Sequence, residues 1–226
     1  MAAVGDQASL AFEARRLYTE ELVKGLPALV SAVQVWSLAP ERSAVGLDPA
    51  IVWRLRDAAE ALKVHGAAWR KGMVLALQDA LRYGITSTRS GDLGSVKQKL
   101  SRVDDETIER EIVTSRLALA IMDRANWEFN DLRTRVALLE RREELEPHDL
   151  LRAHMLARIV VQAWAAAGMT DESLRDLQPV LHLEFGVLAQ EAYHEANSWL
   201  VSNRVLPDVD LRPLIRRSRG GVTTGY

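Results

Sequence analysis

Hydrophobic residues recur every three, four or seven positions over most of this chain, which is the pattern of helices with one buried face. A first helix is predicted over residues 7–37, and Pro27 is expected to bend or divide it because proline lacks an amide donor and clashes with the preceding turn. Asp48 and Pro49 are typical of a helix start. They open a second predicted helix that ends near Tyr83.

The clearest helical pattern begins at Asp105 and continues to about Glu140. At about 1.5 Å per residue, such a helix is about 54 Å long. This length exceeds what a small core needs, so it favours an elongated bundle or a helix that binds a partner.

Three further helices are predicted beyond this point. Glu146 and Pro147 are expected to open one that ends at Gly168, Thr170 to cap a short one, and residues 180–203 to form the last. The predicted fold class is all-α: an elongated multi-helix bundle of about five to seven helices, including one very long helix.

The domain organisation follows from the stretch 86–95, which is rich in serine, threonine and glycine and has one apolar residue. We predict an N-terminal helical hairpin (1–85), a linker (86–103), a C-terminal helical part that packs with the hairpin (104–210) and a disordered basic tail (211–226). The two helical parts could equally form one single domain.

Composition narrows the range of functions. The formal net charge of −2 creates no strong field for nucleic acid or membranes. The chain has no cysteine, which excludes disulfides, a thiol nucleophile and thiolate metal sites. It starts without the features of a signal peptide, and no apolar run approaches the roughly 20 residues that span a bilayer. We therefore expect a cytoplasmic protein with no membrane partner.

The most metal-like pattern is Glu191 followed by His194, with Glu184 one heptad earlier. Di-iron bundles use such a Glu-x-x-His pair, but they need a second pair and two further glutamates on other helices. The sequence has no second pair. We therefore predict no metal and no cofactor, and interpret these residues as a solvated helix face.

Other titratable residues give no stronger indication of catalysis. Glu144, His148 and His154 surround a predicted helix start, and His65 lies on an apolar stripe where a hydrogen-bonded boundary residue is expected. The sequence contains neither a Gly-x-Ser-x-Gly turn nor a phosphate-binding glycine loop. No catalytic residue is predicted.

Two candidate binding regions remain. Trp127 lies off the main apolar stripe of the longest predicted helix, so we expect it to be exposed and to bind a partner together with Arg124 and Asp131. Trp69 and Trp199 are expected in the core. The second region is the basic tail, whose four arginines could bind the phosphates of a nucleotide or nucleic acid: Arg212, Arg216, Arg217 and Arg219. Lys97, Lys99 and Arg102 are further candidates for the same phosphates.

Several segments together resemble a known family. Residues 100–106 resemble the start of its "LxLVDDDELEE" helix, residues 193–200 with 205–207 resemble "Y-x-x-L-N-x-L-L…G-V-L-P", and residues 26–29 fit its N-terminal helix. The family is the proteobacterial family of unknown function sixteen-thirty-one, some members of which are labelled thymidine phosphorylase. The resemblance covers most of residues 10–210, and the chain is a short relative. It implies a helical fold and brings almost no function.

These observations favour a non-enzymatic helical interaction or regulatory (adaptor) protein that binds a protein partner or self-associates. The first alternative is a regulator that responds to a cyclic dinucleotide or a nucleic acid through the basic tail. The second is a helical metalloenzyme around the Glu-x-x-His pair.

Overall fold

The computed structural model describes residues 4–38, 49–83 and 105–206, and all the regular secondary structure in these ranges is helical. The helices are α1 (Val4–Leu38), α2 (Pro49–Tyr83), α3 (Asp105–Glu140), α4 (Ala153–Ala166), α5 (Asp171–Asp176) and α6 (Gln178–Ser202). This confirms an all-α multi-helix bundle. Three helices rather than one are very long, because α1 and α2 have 35 residues each and α3 has 36.

A shared apolar core joins the long helices. It includes Tyr18 of α1, Trp69 of α2, Ile121 of α3, Trp164 of α4 and Phe185 of α6, all of which are fully buried. Each helix contributes the stripe of its surface that recurs every three or four residues, as its sequence indicates. The helices of the N-terminal half therefore bury their apolar faces against those of the C-terminal half.

Aromatic rings occupy the part of the core where α2, α4 and α6 meet. Trp69 packs edge-on against Trp164 at 4.8 Å between centroids and against Phe185 at 6.3 Å. The indole Nε1 of Trp69 donates a hydrogen bond of 3.2 Å to the backbone carbonyl of Val160. The one polar atom of this large side chain is thus satisfied, which is a condition for burying it at low cost.

Helix α1 runs antiparallel to α6 and packs closely against it. The rings of Tyr18 and Tyr193 stack at 4.8 Å, and further along α1 Gly25 faces Leu188. A Cβ at Gly25 would lie only 2.2 Å from Leu188 Cδ1, so the absence of a side chain lets the two helices approach. The Tyr193 hydroxyl donates to the Leu151 carbonyl at 2.6 Å.

Two details of the predicted helices differ from the structure. Helix α1 continues through Pro27, which is exposed, so the missing amide donor lies on the solvent side of the helix. Helix α4 begins at Ala153 and not at Glu146 and Pro147. The connection before it turns at Arg141, whose φ is 56°. The prediction that Thr170 caps the next helix is confirmed, since its hydroxyl accepts from the Ser173 amide.

The domain boundaries stay predictions. The predicted linker (86–103) lies outside the described residues, as does the predicted basic tail (211–226). Helices α1 and α2 share one apolar cluster with α3 to α6, as expected for parts that pack together. Over the described ranges, no helix is long and apolar enough to cross a membrane.

We expect Trp69→Ala to lower the free energy of unfolding by about 3–5 kcal/mol, because it leaves a cavity among Trp164 and Phe185. The matched control is Trp53→Ala on the same helix, where the side chain is 63 % exposed. That change should alter stability by less than about 0.5 kcal/mol. Urea unfolding followed by circular dichroism measures both, and equal losses would contradict this account of the core.

Candidate functional site

Helices α3 and α6 lie parallel and are joined by a row of polar contacts. Arg124 donates to Gln190 at 3.1 Å, and the Glu128 carboxylate contacts His194 Nδ1 at 3.0 Å. Both pairs are separated by 66 residues in the sequence, so the register between the helices is constant along the row. Gly186 allows the close approach, because a Cβ there would lie 3.3 Å from Arg124 Cδ.

A buried arginine ends this row. Arg135 is only 3 % exposed, and its Nη1 donates to Asn197 Oδ1 at 2.6 Å while its Nε donates to the Leu206 carbonyl at 3.1 Å. The Asp131 carboxylate lies 3.5 Å from the same guanidinium. Asn197 in turn donates to the backbone carbonyl of Glu128 at 2.8 Å. The buried charge is therefore paired and hydrogen-bonded, as a charge in a protein interior must be.

Trp127 lies beside this row on the solvent side of α3. Its side chain is 74 % exposed, which confirms the exposure predicted from the sequence. Asp123, Arg124 and Asp131 lie three or four residues away and therefore within about 60° of Trp127 around the helix, at about 100° per residue. We call these four residues the Trp127 surface. The structure thus brings the three predicted partner-binding residues to one side of α3.

The remaining tryptophans divide between core and surface. Trp69 and Trp164 are fully buried, and Trp199 is partly buried and packs against the core. Trp53 is also strongly exposed, and the Arg56 guanidinium lies 5.4 Å from its ring centroid. The exposure of Trp53 was not predicted, although its position two residues before the buried stripe that starts at Leu55 indicates the outer face of α2.

The metal-like residues of α6 do not come together as a metal site. His194 contacts Glu128 of α3, while Glu191 is exposed to solvent. Within residues 4–38, 49–83 and 105–206, no three histidine or carboxylate side chains are close enough to hold a metal ion. Glu184 lies on the same helix, two turns before Glu191.

A serine, a histidine and a carboxylate also meet on α6 and α3. Ser198 Oγ lies 3.5 Å from His194 Nε2, and His194 contacts Glu128 through its other ring nitrogen. Nucleophilic serines need a well-aligned base in a site that excludes water. Here the serine contact is at the limit of hydrogen bonding and the His194 side chain is 64 % exposed. We therefore interpret this trio as a surface contact between helices.

The other predicted histidines are scattered. The His154 ring lies 3.7 Å from the Glu111 carboxylate of α3, and His148 is exposed in the connection before α4. Glu144 accepts from Arg133 at 2.5 Å rather than from a histidine. His65 is half-buried and lines a depression of about 300 Å³ between α2 and α5. These residues form no common site.

A charge cluster in the first half of α1 was not predicted from the sequence. Arg15 donates to Asp149 at 2.5 Å and to Glu140 at 2.7 Å, and Asp149 also accepts from the Leu151 amide. The partners are more than 120 residues apart in the sequence, so only the fold reveals them. The cluster borders a depression of about 430 Å³ lined by Phe12, Arg15 and Glu140 among others. Arg15, Asp149 and Glu140 pair with one another, and the depression identifies no ligand class.

Comparison with known proteins identifies the family. The model of the family described as "Protein of unknown function (DUF1631) N-terminal domain" matches residues 53–203, which is more than half of the chain. The chain belongs to the DUF1631 family. The match includes all of α3 to α6 and therefore the Trp127 surface. No curated protein and no solved structure matches the chain.

The basic tail is the predicted binding region for which this DUF1631 structure gives no geometry. Its arginines at 212, 216, 217 and 219 lie outside the described residues, as do Lys97, Lys99 and Arg102. Phosphate binding by these residues therefore stays a prediction.

Arg135→Met should destabilise the DUF1631 chain, because it leaves the acceptors of Asn197 and Leu206 without their charged donor. An unsatisfied buried polar group costs about 1–3 kcal/mol, which sets the expected loss in the free energy of unfolding. Arg124→Met is the control, since Arg124 contacts Gln190 at the surface. A loss for Arg124→Met as large as that for Arg135→Met, measured by urea unfolding, would contradict the difference in burial.

One histidine on the α6 side of the row should make stability depend on pH. Burial, with a smaller contribution from the Arg116 charge, lowers the pKa of His182. In the residues that the structure describes, its buried Nε2 has no hydrogen-bond partner. The unfolded chain, with an ordinary histidine pKa of about 6.5, therefore takes up a proton at higher pH than the folded protein does.

The stabilisation from neutral His182 is present above about pH 6.5 and is lost as the pH falls below that value. We expect the free energy of unfolding to decrease between pH 7.5 and about 5.5, and His182→Gln to reduce this slope. His148→Gln, at an exposed histidine, should leave the slope unchanged. Urea unfolding at several pH values tests this, and an unaltered slope in His182→Gln would refute it.

Proposed function

We propose that this chain is a helical protein-interaction module, of a regulatory or adaptor type, whose partner binds at the Trp127 surface. The observation that carries the proposal is the 74 % exposure of a tryptophan on a helix whose opposite side is buried in the core. A tryptophan side chain brings a large apolar area to an interface, and tryptophans are enriched among residues that dominate binding energy.

The charges near Trp127 indicate what kind of partner fits. Asp123 and Asp131 lie one turn before and one turn after it, and Glu128 is next to it in the sequence. Arg124 is the single basic residue among these neighbours, and its guanidinium contacts Gln190. A partner segment that offers an apolar side chain to the indole and basic side chains to the carboxylates would complement this arrangement.

The long helices support an interaction role in a second way. The bundle packs against α3 along much of its length, so the backbone that carries the Trp127 surface is held in one conformation before binding. A preorganised surface loses little conformational entropy when a partner binds. The described residues provide no comparable observation for the two alternative functions, which are nucleotide binding by the basic tail and a helical metalloenzyme.

Trp127→Ala should weaken partner binding by about 2 kcal/mol or more, which corresponds to roughly a 30-fold higher Kd. Trp53→Ala is the matched control, because Trp53 is also exposed but lies on α2. Self-association is measured first, by light scattering at low and high salt. A dimer that Trp127→Ala dissociates and Trp53→Ala does not would identify the partner as a second copy.

For a protein that stays monomeric, a photo-crosslinking residue at position 123, one turn before Trp127, is compared with one at position 57, one turn after Trp53, in cells that produce the protein. Both tryptophans are retained, and the proposal expects a discrete adduct from position 123 that is not formed from position 57. The absence of any adduct specific to position 123, in a protein that is also monomeric, would refute the proposed function.

A further inference from the structure

The chain leaves the bundle at a fixed point next to α3. After α6, Arg204 adopts a left-handed conformation (φ 60°), and the Val205 amide donates to the Leu200 carbonyl at 3.0 Å. The next carbonyl, that of Leu206, accepts from the buried Arg135 of α3. The residues that follow Leu206 therefore start at the edge between α3 and α6 and not at the free end of α6.

This exit point is aligned with the Trp127 surface. Trp127, Asp131 and Arg135 follow one another at intervals of four residues, so they form one row along α3. Arg135 is about 12 Å from Trp127 along the helix axis, at about 1.5 Å per residue. Asp131 lies between them and already contacts the Arg135 guanidinium.

The sequence after Leu206 has the chemistry that this surface would complement. Residues 211–219 contain three aliphatic side chains and four arginines, and no acidic residue occurs from position 211 to 226. Arg212 is the sixth residue after Leu206, and an extended chain spans about 3.3 Å per residue, or roughly 20 Å over these six steps. Arg212 and the residues after it can therefore reach Trp127 from the exit point.

Charge also distinguishes this surface from the other exposed tryptophan. Trp53 already has the Arg56 guanidinium over its ring, and Arg54 is bonded to Asp176 of α5. The neighbours of Trp127 are mainly carboxylates, which attract arginine, and an exposed indole face is itself a favourable site for a guanidinium.

We propose that residues 211–219 bind the Trp127 surface of the same chain and act as an internal competitor of the partner. Arginines of this segment pair with Asp123 and Asp131, and its aliphatic side chains contact the indole. Because the segment is tethered, its effective concentration is in the millimolar range, so even a weak contact is substantially occupied. A partner must displace it, which makes the segment a regulator of the surface in the proposed function.

The test uses the full chain labelled with 5-fluorotryptophan and ¹⁹F NMR, in which Trp127→Phe and Trp53→Phe assign two of the six resonances. Two variants are compared with it: a truncation after Asp210, which retains Leu206, and the full chain with R212Q, R216Q, R217Q and R219Q. In both variants we expect the Trp127 resonance to shift toward the position of a solvent-exposed tryptophan. The Trp53 resonance should stay unchanged. Unchanged positions of the four other tryptophan resonances show that the fold is retained.

A synthetic peptide of residues 211–219 added to the truncated chain should return the Trp127 resonance toward its full-chain position, saturating at millimolar peptide. A Trp127 resonance that is identical in the full and truncated chains would overturn the proposal. This measurement needs no partner, so its failure leaves the proposed function standing. Conversely, a missing crosslinked partner leaves the NMR result standing.

Discussion

The parallel contact of α3 with α6 is the constraint on which the surface features of this protein depend. A buried guanidinium must have its charge paired and its donors satisfied, and Arg135 meets this condition through Asn197, Asp131 and the Leu206 carbonyl. Sliding α6 by one turn would move Asn197 and Leu206 by about 5.4 Å and leave two donors of the buried guanidinium without their acceptors. The same register orients Trp127 toward solvent and holds the chain exit beside it.

Polar and apolar contacts contribute differently to the fold. A typical hydrogen bond contributes about 1 kcal/mol net, whereas truncating a buried aromatic residue costs about 3–5 kcal/mol. The rings of Trp69, Trp164 and Phe185 therefore provide much of the stability where α2, α4 and α6 meet. The polar row between α3 and α6 adds less stability, and the acceptors of Asn197 and Leu206 match the donors of Arg135 in the observed register.

Apolar periodicity and caps were sufficient to predict the helices, including the start at Pro49 and the cap at Thr170. They were misleading before α4, where Glu146 and Pro147 have the pattern of a helix start but the chain turns instead. Asp149 in that connection is bonded to Arg15 of α1, a contact that local sequence cannot reveal. The exposure of Trp127 was predictable because it depends on the helical period. The bonds of Arg135 to Asn197 and Leu206 depend on the pairing of two helices.

The sequence suggested two separate binding regions, an aromatic residue on a long helix and a basic segment more than 80 residues later. The Arg135–Leu206 bond gives a physical reason to treat them together, because it starts the basic segment at the end of the row that contains Trp127. A surface that presents an exposed indole and carboxylates to solvent is also prone to nonspecific association with basic chains. A tethered segment that complements the charges and the indole of this surface would reduce nonspecific association. It would also raise the affinity that a partner needs in order to displace the segment. In this view, the basic segment sets the selectivity of the Trp127 surface and is not an alternative to it.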